Sequence, residues 1–568
     1  MVSRPSLYWL TALVAVVVLL ALSGCAPAAA PAPAAPAAAA ATSAPAAAAA
    51  PAATAAPKAA APAAKTGAKT LSVAQDTDPG TADVQLTTEE YFLPLNLYDR
   101  LVEAVTTGPL KSELQPGLAE KWSVSDDGLK YTFNLRKGVK FHNGDELTAD
   151  DVIFTFDRML DPATKALNTD FLDMIAGAKE RMDGKATSTS GLKKIDDNTV
   201  EITLAAPFAP FLANLATPAG SIYSKNATTK AGKDFGTKPV GTGPFKLESW
   251  TPDSEVVLSA YDGYFRGKPK FDKLVMKVVP EAQTMALMFK KGDLDVFDLD
   301  FARSQIPEFK KDAQWKDKIV SGPRVGTYYM SINEKIPPFE NPKVREALMY
   351  AIDRQTLIDK LYYGTGMPAK GILAPGLAGY NDALPGFKYD PEKAKALLKE
   401  AGFPNGFEMT LNQTTDSPTT LKMNEALQAM LAQVGIKAEI KQMDSAAWSG
   451  TRKEGKLGSY SSSWSADFND PDNFINTFFA PANSVARSWN YENKAVQDQL
   501  AKARSMTDMA ARYKLYQDAE NQIVNKDFAF LPLFHLDHLF VVNPKVKNFK
   551  PSWNGWSNMP YYGIEITE

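Results

Sequence analysis

With 568 residues, 45% of them hydrophobic, the chain is long enough to bury several cores, and domains of about 100–200 residues suggest three of them. Lys and Arg number 62 against 65 Asp and Glu, so the formal charge is −3, and no basic excess marks a nucleic-acid partner. The single cysteine excludes an intramolecular disulfide framework and any multi-cysteine zinc or iron–sulfur site, leaving core burial as the source of stability.

Arg4 and an apolar run from about Tyr8 to Leu22 read as a secretory signal, too short to span a bilayer comfortably at roughly 20 apolar residues. Leu22-Ser23-Gly24-Cys25 closes it where a lipoprotein signal peptidase would leave Cys25 as the first residue. Acyl chains on Cys25 would anchor the chain to a membrane, each buried methylene adding about 0.8 kcal/mol. Residues 25–69 are the lipidated cysteine and an Ala/Pro-rich linker. Its prolines deny the amide hydrogens that an Ala-rich helix needs, so a partly polyproline-like tether is expected.

The folded part begins at Thr70 with a first strand, Leu71–Ala74. Glu89–Leu101 has helical apolar spacing, and Tyr131, Phe133 and Leu135 share one face of a strand. Asn143-Gly144 is a tight turn, and Thr148 with Asp151 forms a capping box that opens a helix from Asp150 to Leu160. Strands are expected in Lys193–Leu204, Pro244–Leu247 and Val256–Leu258, followed by a helix over Gln283–Lys290 and a strand over Asp293–Leu299. From Tyr328 helices and strands alternate. Asn341-Pro342 and Asp390-Pro391 are helix starts, Leu421–Val434 is a helix stopped by Gly435, and Ile436–Met443 is a strand. Ala510–Asn525 closes the series of helices before the apolar strands of Phe528–Val542. This order implies mixed α/β sheets covered by helices.

The blocks Leu118–Trp122, Phe133–Gly144 and Thr148–Val152 resemble dipeptide- and oligopeptide-binding proteins, the family 5 or cluster C group of extracytoplasmic solute-binding proteins. Gly241-Thr242-Gly243-Pro244-Phe245, Tyr329–Asn333 with Pro338-Phe339, Val344–Leu348 and Trp464–Pro471 continue the resemblance in the same order. It implies a periplasmic-binding-protein-like type II fold: two lobes, a hinge, and a subdomain inserted in lobe I. On this numbering the signal peptide is 1–24, lobe I is 70–111, 239–325 and 525–568, the insert is 112–238, and lobe II is 326–524. The crossings are expected near Gly326-Thr327-Tyr328 and Lys526-Asp527-Phe528.

The resemblance further implies a monomeric, non-catalytic receptor on the outer face of the cytoplasmic membrane. It would hand a peptide to an ABC permease and ATPase, with no cofactor. Asp467 occupies the Trp-x-x-Asp position that grips a ligand's α-ammonium in peptide-binding relatives; alternatively it starts a turn with Asn469-Asp470-Pro471. Trp464 stands where the family lines its cleft with an aromatic wall, or is a core residue, and Ser465 and Ala466 lie between the two. Arg452 matches a basic residue that meets ligand carboxylates in oligopeptide-binding relatives; a solvated surface charge is the other reading. A second arginine nearer the tryptophan is replaced here by Ser461-Ser462-Ser463. An oligosaccharide or another small solute on the same fold is the first alternative, and an extracytoplasmic hydrolase the second.

No other chemistry stands out. His535 and His538 sit three apart in an apolar strand context that turns them to opposite faces, against a metal site. Asp293, Asp295, Asp298 and Asp300 lack the glycine and final glutamate of a calcium loop and read as the polar face of a strand. Gly241-x-Gly243 lacks the Gly-Lys-Ser/Thr ending of a phosphate loop.

Overall fold

The computed structural model describes residues 67–567 apart from 89–90, 109–110 and 553–558. Cys25, the signal segment and nearly all of the linker lie outside the described residues. No helix among the described residues is long and apolar enough to cross a membrane.

The strand Thr70–Gln75 pairs in parallel with Lys273–Val278, and the sheet continues antiparallel through Glu255–Ala260 to Phe245–Thr251. Alternation decides its inner face: Leu71, Val73, Val256, Leu258, Leu274 and Met276 are all buried. A separate four-stranded antiparallel sheet joins Ala119–Val124, Lys130–Leu135, Thr199–Thr203 and Leu192–Asp196. The helix Ala149–Leu160 closes it with the expected capping box. Val152, Phe156 and Leu160 face Phe133 and Ile202 in one core.

A third sheet orders Met367–Pro368, Leu531–His535, Gly326–Met330 and Ser461–Ser465. The expected helix starts at Asn341-Pro342 and Asp390-Pro391 are present, each with its side chain accepting from a first-turn amide. Helix Pro418–Ala432 is followed by Lys437–Met443, which pairs in parallel with Glu408–Thr414.

The chain changes sheet twice at neighbouring places. Ile319–Pro323 pairs with Asp537–Val542, whereas Gly326–Met330 pairs with Leu531–His535 and Ser461–Ser465. Arg324-Val325 and Leu536 are therefore the connecting points. The first lies just before the expected crossing at Gly326. The second corrects the expectation at Lys526-Asp527-Phe528: Leu531–His535 remains in the sheet of Gly326–Met330 because its side chains, all buried, fill that core.

Two further expectations change. Of the helix expected over Glu89–Leu101, the described residues form only the short helix Pro94–Leu97, with Tyr91, Phe92, Leu93, Leu97, Tyr98 and Leu101 all buried. The strand expected over Asp293–Leu299 shrinks to Val296–Asp298. Its aspartates are not a polar face: buried Asp295 accepts from the Ser72 amide at 2.8 Å, and Asp300 meets His538 at 2.5 Å.

A buried ion pair fixes the loop that follows Trp464. Arg512, fully buried, places Nη1 and Nη2 at 2.6 and 2.7 Å from the two oxygens of Asp470 and donates Nε to Ala503 O at 2.8 Å. Replacing Arg512 by Met leaves Asp470 charged and unpaired in the interior, which costs about 3–5 kcal/mol. Urea unfolding of the variant is expected to show a loss of that order, and an unchanged midpoint would refute this role.

Candidate functional site

Asp470 also caps the single turn Pro471–Asn473, accepting from the Asp472 amide. Asp472 in turn takes the Tyr516 hydroxyl at 2.6 Å and Arg504 Nε at 3.2 Å. The loop is thus held from beneath by three side chains of two neighbouring helices. At its start, Ala466 donates its amide to Val325 O at 2.8 Å, beside one of the sheet-changing connections.

Above this base lies a cavity of about 970 Å³. One wall comes from the capped four-stranded subdomain, with Asp170, Phe171 and Phe208. The other carries Trp464, Asp467 and Arg487 from the region of the third sheet. The walls touch at the rims. Ala209 N donates to Arg504 O at 2.7 Å, the Arg504 guanidinium lies 4.7 Å over the Phe208 ring, and Phe171 and Phe468 meet edge to face at 6.5 Å. Asn469 Nδ2 reaches Ser112 O at 3.1 Å. Asp467 also lines a second cavity of about 460 Å³, together with Asp99, Arg100 and Tyr264.

Asp467 donates its amide to Asn473 Oδ1 and accepts from Asn473 Nδ2 at Oδ2, both at 2.9 Å. The turn itself is capped by Asp470, so Asp467 is not its initiator. Asp467 forms no ion pair among the described residues. Burial pushes its carboxyl up to about 6, and the Asp170 carboxylate across the cavity adds to the rise. The Asn473 hydrogen bond and the positive charge of Arg487 oppose that rise without cancelling it.

Trp464 packs its ring edge to face with Phe478 at 5.8 Å, and its buried indole N–H has no hydrogen-bond partner. Arg452 lines the same cavity, its guanidinium 5.2 Å over the Trp448 ring. Three of the five expected ligand-site positions, Asp467, Trp464 and Arg452, therefore share one cavity. Ser465 and Ala466 do not line it: Ser465 pairs across the sheet with Gly326, and Ala466 is buried in a hydrophobic core. Period-two alternation turns Ser465 away from the face of Trp464, and Ala466, just past the strand, is drawn into the core by its amide hydrogen bond to Val325 O.

Arg487 was not singled out from the sequence. It follows the short helix Pro481–Ala486, and its guanidinium stacks 4.5 Å over Trp464. No local pattern marks it, because only the tertiary fold brings position 487 beside position 464.

The histidines are structural. Gly241 donates its amide to His142 Nδ1, and His142 Nε2 lies 3.0 Å from Gly243 O, which matches a neutral ring. A Cβ on Gly241 would stand 2.0 Å from Leu97 O, so this motif is a close backbone crossing rather than a phosphate loop. His535 Nδ1 lies 3.1 Å from Gly326 O. No group of three potential metal ligands occurs among the described residues.

Comparison with known proteins agrees with this architecture. Residues 113–486 match the family described as bacterial extracellular solute-binding proteins, family 5 (middle). The dipeptide-binding protein of Escherichia coli is 37% identical over 513 residues, covering 86% of this chain and 92% of that one. Among solved structures, HbpA2 from Haemophilus parasuis superposes with a TM-score of 0.77 at 31% identity, covering 88% of this chain and all of that one. The ABC transporter-associated periplasmic binding protein DppA from Helicobacter pylori, in complex with the peptide STSA, gives 0.69 at 30% identity, covering 88% and 98%.

The raised Asp467 carboxyl makes a stability prediction. A carboxyl whose folded pKa exceeds its unfolded one destabilises the folded state above that pKa, and the penalty disappears as pH falls through it. Asp467→Asn, which can keep the Asn473 contacts, is expected to raise the melting temperature of ligand-free protein at pH 7.5 but not at pH 4. Equal melting temperatures of variant and parent at both values would contradict it. By fold, length and sequence alike, the chain belongs to the family 5 bacterial extracellular solute-binding proteins.

Proposed function

We propose that this chain captures peptides bearing a free α-amine in the cavity between its two walls and delivers them to an ABC permease. The observation that carries the reading is the unpaired, half-buried Asp467 carboxylate beside the Trp464 ring. A ligand ammonium would relieve the cost of that isolated charge, and the indole would cover an apolar side chain or a peptide plane. The relatives named for dipeptide binding and solved with a peptide bound support the same ligand class.

Arg324-Val325 and Leu536 would act as the hinge, because the two sheet changes lie on adjacent, paired stretches of chain. The rim contacts of Asn469 with Ser112, and of Ala209 and Phe208 with Arg504, would form as the walls close. Binding energy then selects the closed shape that a membrane partner reads. Lipidation of Cys25 would keep the receptor near that partner, with the Ala/Pro segment as tether.

Isothermal titration with Ala-Ala, Ala-Ala-Ala and their N-acetylated forms tests the anchor. Free-amine peptides should bind and acetylated ones should lose roughly thirtyfold or more, as for a buried charge pair stripped of one member. Because the ammonium binds only the ionised Asp467, affinity should fall about tenfold from pH 7.5 to pH 5, below the free carboxyl's value of about 6. Peptide binding that is indifferent to acetylation and to pH would sink the reading.

A further inference from the structure

The turn that carries Asp170 is built into the wall that faces Asp467. Thr169–Phe171 is a single 3₁₀ turn. Buried Asn168 ties its start down, donating Nδ2 to Val84 O and Thr87 O, both at 2.8 Å. Leu172 and Ile175 sink into the core of the capped four-stranded subdomain. Asp170 and Asp173, three apart around those buried residues, are left solvent-accessible on the cavity lining. Phe171 meets Phe468 across the rim at 6.5 Å, so the residue before each ring, Asp170 on one wall and Asp467 on the other, belongs to the same end of the cavity.

This side of the cavity offers acceptors without a cation. Neither Asp170 nor Asp173 forms an ion pair, or accepts a side-chain hydrogen bond from another residue, among the described residues. Asn214, 4% exposed and on the same lining, donates Nδ2 to Phe171 O at 3.3 Å, and its Oδ1 is left without a hydrogen-bond partner. The subdomain contributes no Lys or Arg to the lining; Arg452, Lys453, Arg487 and Arg504 all stand on the facing wall, where Asp472 already takes Arg504. Partial burial raises Asp170 and Asp173 above the ordinary carboxylate range, and the charge of Asp170 adds to the rise of Asp173 and of Asp467. Arg504 opposes part of that rise at Asp173. A set of unpaired acceptors in a partly desolvated wall fits a group that carries a positive charge and several N–H donors. Phe171, Met174 and Phe208 flank it with apolar surface, against which the methylene stem of a long cationic side chain packs.

We infer that Asp170, with Asn214 Oδ1 and Asp173 beside it, receives the cationic side chain of a ligand's first residue, so that the cavity prefers peptides beginning with lysine or arginine. This rests on the peptide reading above and extends it. Asp467 takes the α-ammonium, and Asp170, at the same end of the cavity, takes the second positive charge of the same residue. A neutral first side chain leaves the Asp170 carboxylate without a counter-charge.

Isothermal titration of the full chain with Lys-Ala, Arg-Ala, norleucyl-Ala, Ala-Ala and Ala-Lys tests the assignment, since norleucine keeps the stem of lysine and omits its ammonium. Lys-Ala and Arg-Ala should bind the parent at least about tenfold more tightly than norleucyl-Ala, the gain expected of a hydrogen-bonded charge. Ala-Lys should show no such gain over Ala-Ala. In Asp170→Asn the ratio of Lys-Ala to norleucyl-Ala should collapse towards one through weaker binding of Lys-Ala, and Asp170→Glu should restore part of it. A purely structural Asp170 would weaken both peptides equally, so a preserved ratio in Asp170→Asn overturns the inference. Equal binding of Lys-Ala and norleucyl-Ala to the parent overturns it without any variant and leaves the peptide reading standing, as does a gain for Ala-Lys that matches the gain for Lys-Ala. If none of the peptides binds the parent, the peptide reading falls and this inference falls with it.

Discussion

The arrangement of the cavity depends on one buried charge pair. Arg512 and Asp470 lie in the interior, and their two short hydrogen bonds hold the loop from Ala466 to Asn473 against the helices Lys494–Arg504 and Met509–Asn525. Desolvation makes such a pair a poor source of net stability, but it makes every misplacement expensive. The pair therefore fixes geometry. Asp467, five residues before Asp472, which Tyr516 grips, inherits its position from a loop anchored by Arg512 and Tyr516 outside the cavity lining.

That rigidity matters because Asp467 is kept in a state that folding alone would avoid. A carboxyl raised by burial stores unfavourable energy in the empty protein, to be released when a cation arrives. The guanidinium of Arg487 lies over the Trp464 ring on the same wall of the cavity.

Several motifs that carry the family resemblance prove to be scaffolding. Gly241-Thr242-Gly243 lets the backbone pass within contact of Leu97, and Thr242 gives its hydroxyl to buried Asp99 at 2.8 Å. Thr148 and Asp151 cap a helix, and Asp151 also accepts the Lys225 amide at 2.9 Å. Arg345, within the Val344–Leu348 block, spends its guanidinium on the carbonyls of Asp527 and Phe339. These residues serve the fold, which is why the resemblance speaks strongly for architecture and weakly for ligand.

What the sequence by itself determined was local: strands with period-two burial such as Tyr131, Phe133 and Leu135, helix starts at Thr148, Asn341 and Asp390, and the α/β order of elements. These follow from interactions within a few residues, which is all that spacing encodes. The motif also pointed to Asp467 and Trp464, since their separation of three places both beside the same turn. The tertiary structure decided the rest. The second sheet change moved to Leu536 because the partner of Leu531–His535 lies some 200 residues away, and the burial of Asp295 depends on Ser72, 223 residues distant. Arg487 reached Trp464 only through packing between segments with no shared periodicity, and the unpaired charge that results is a property of the assembled cavity, invisible in either segment alone.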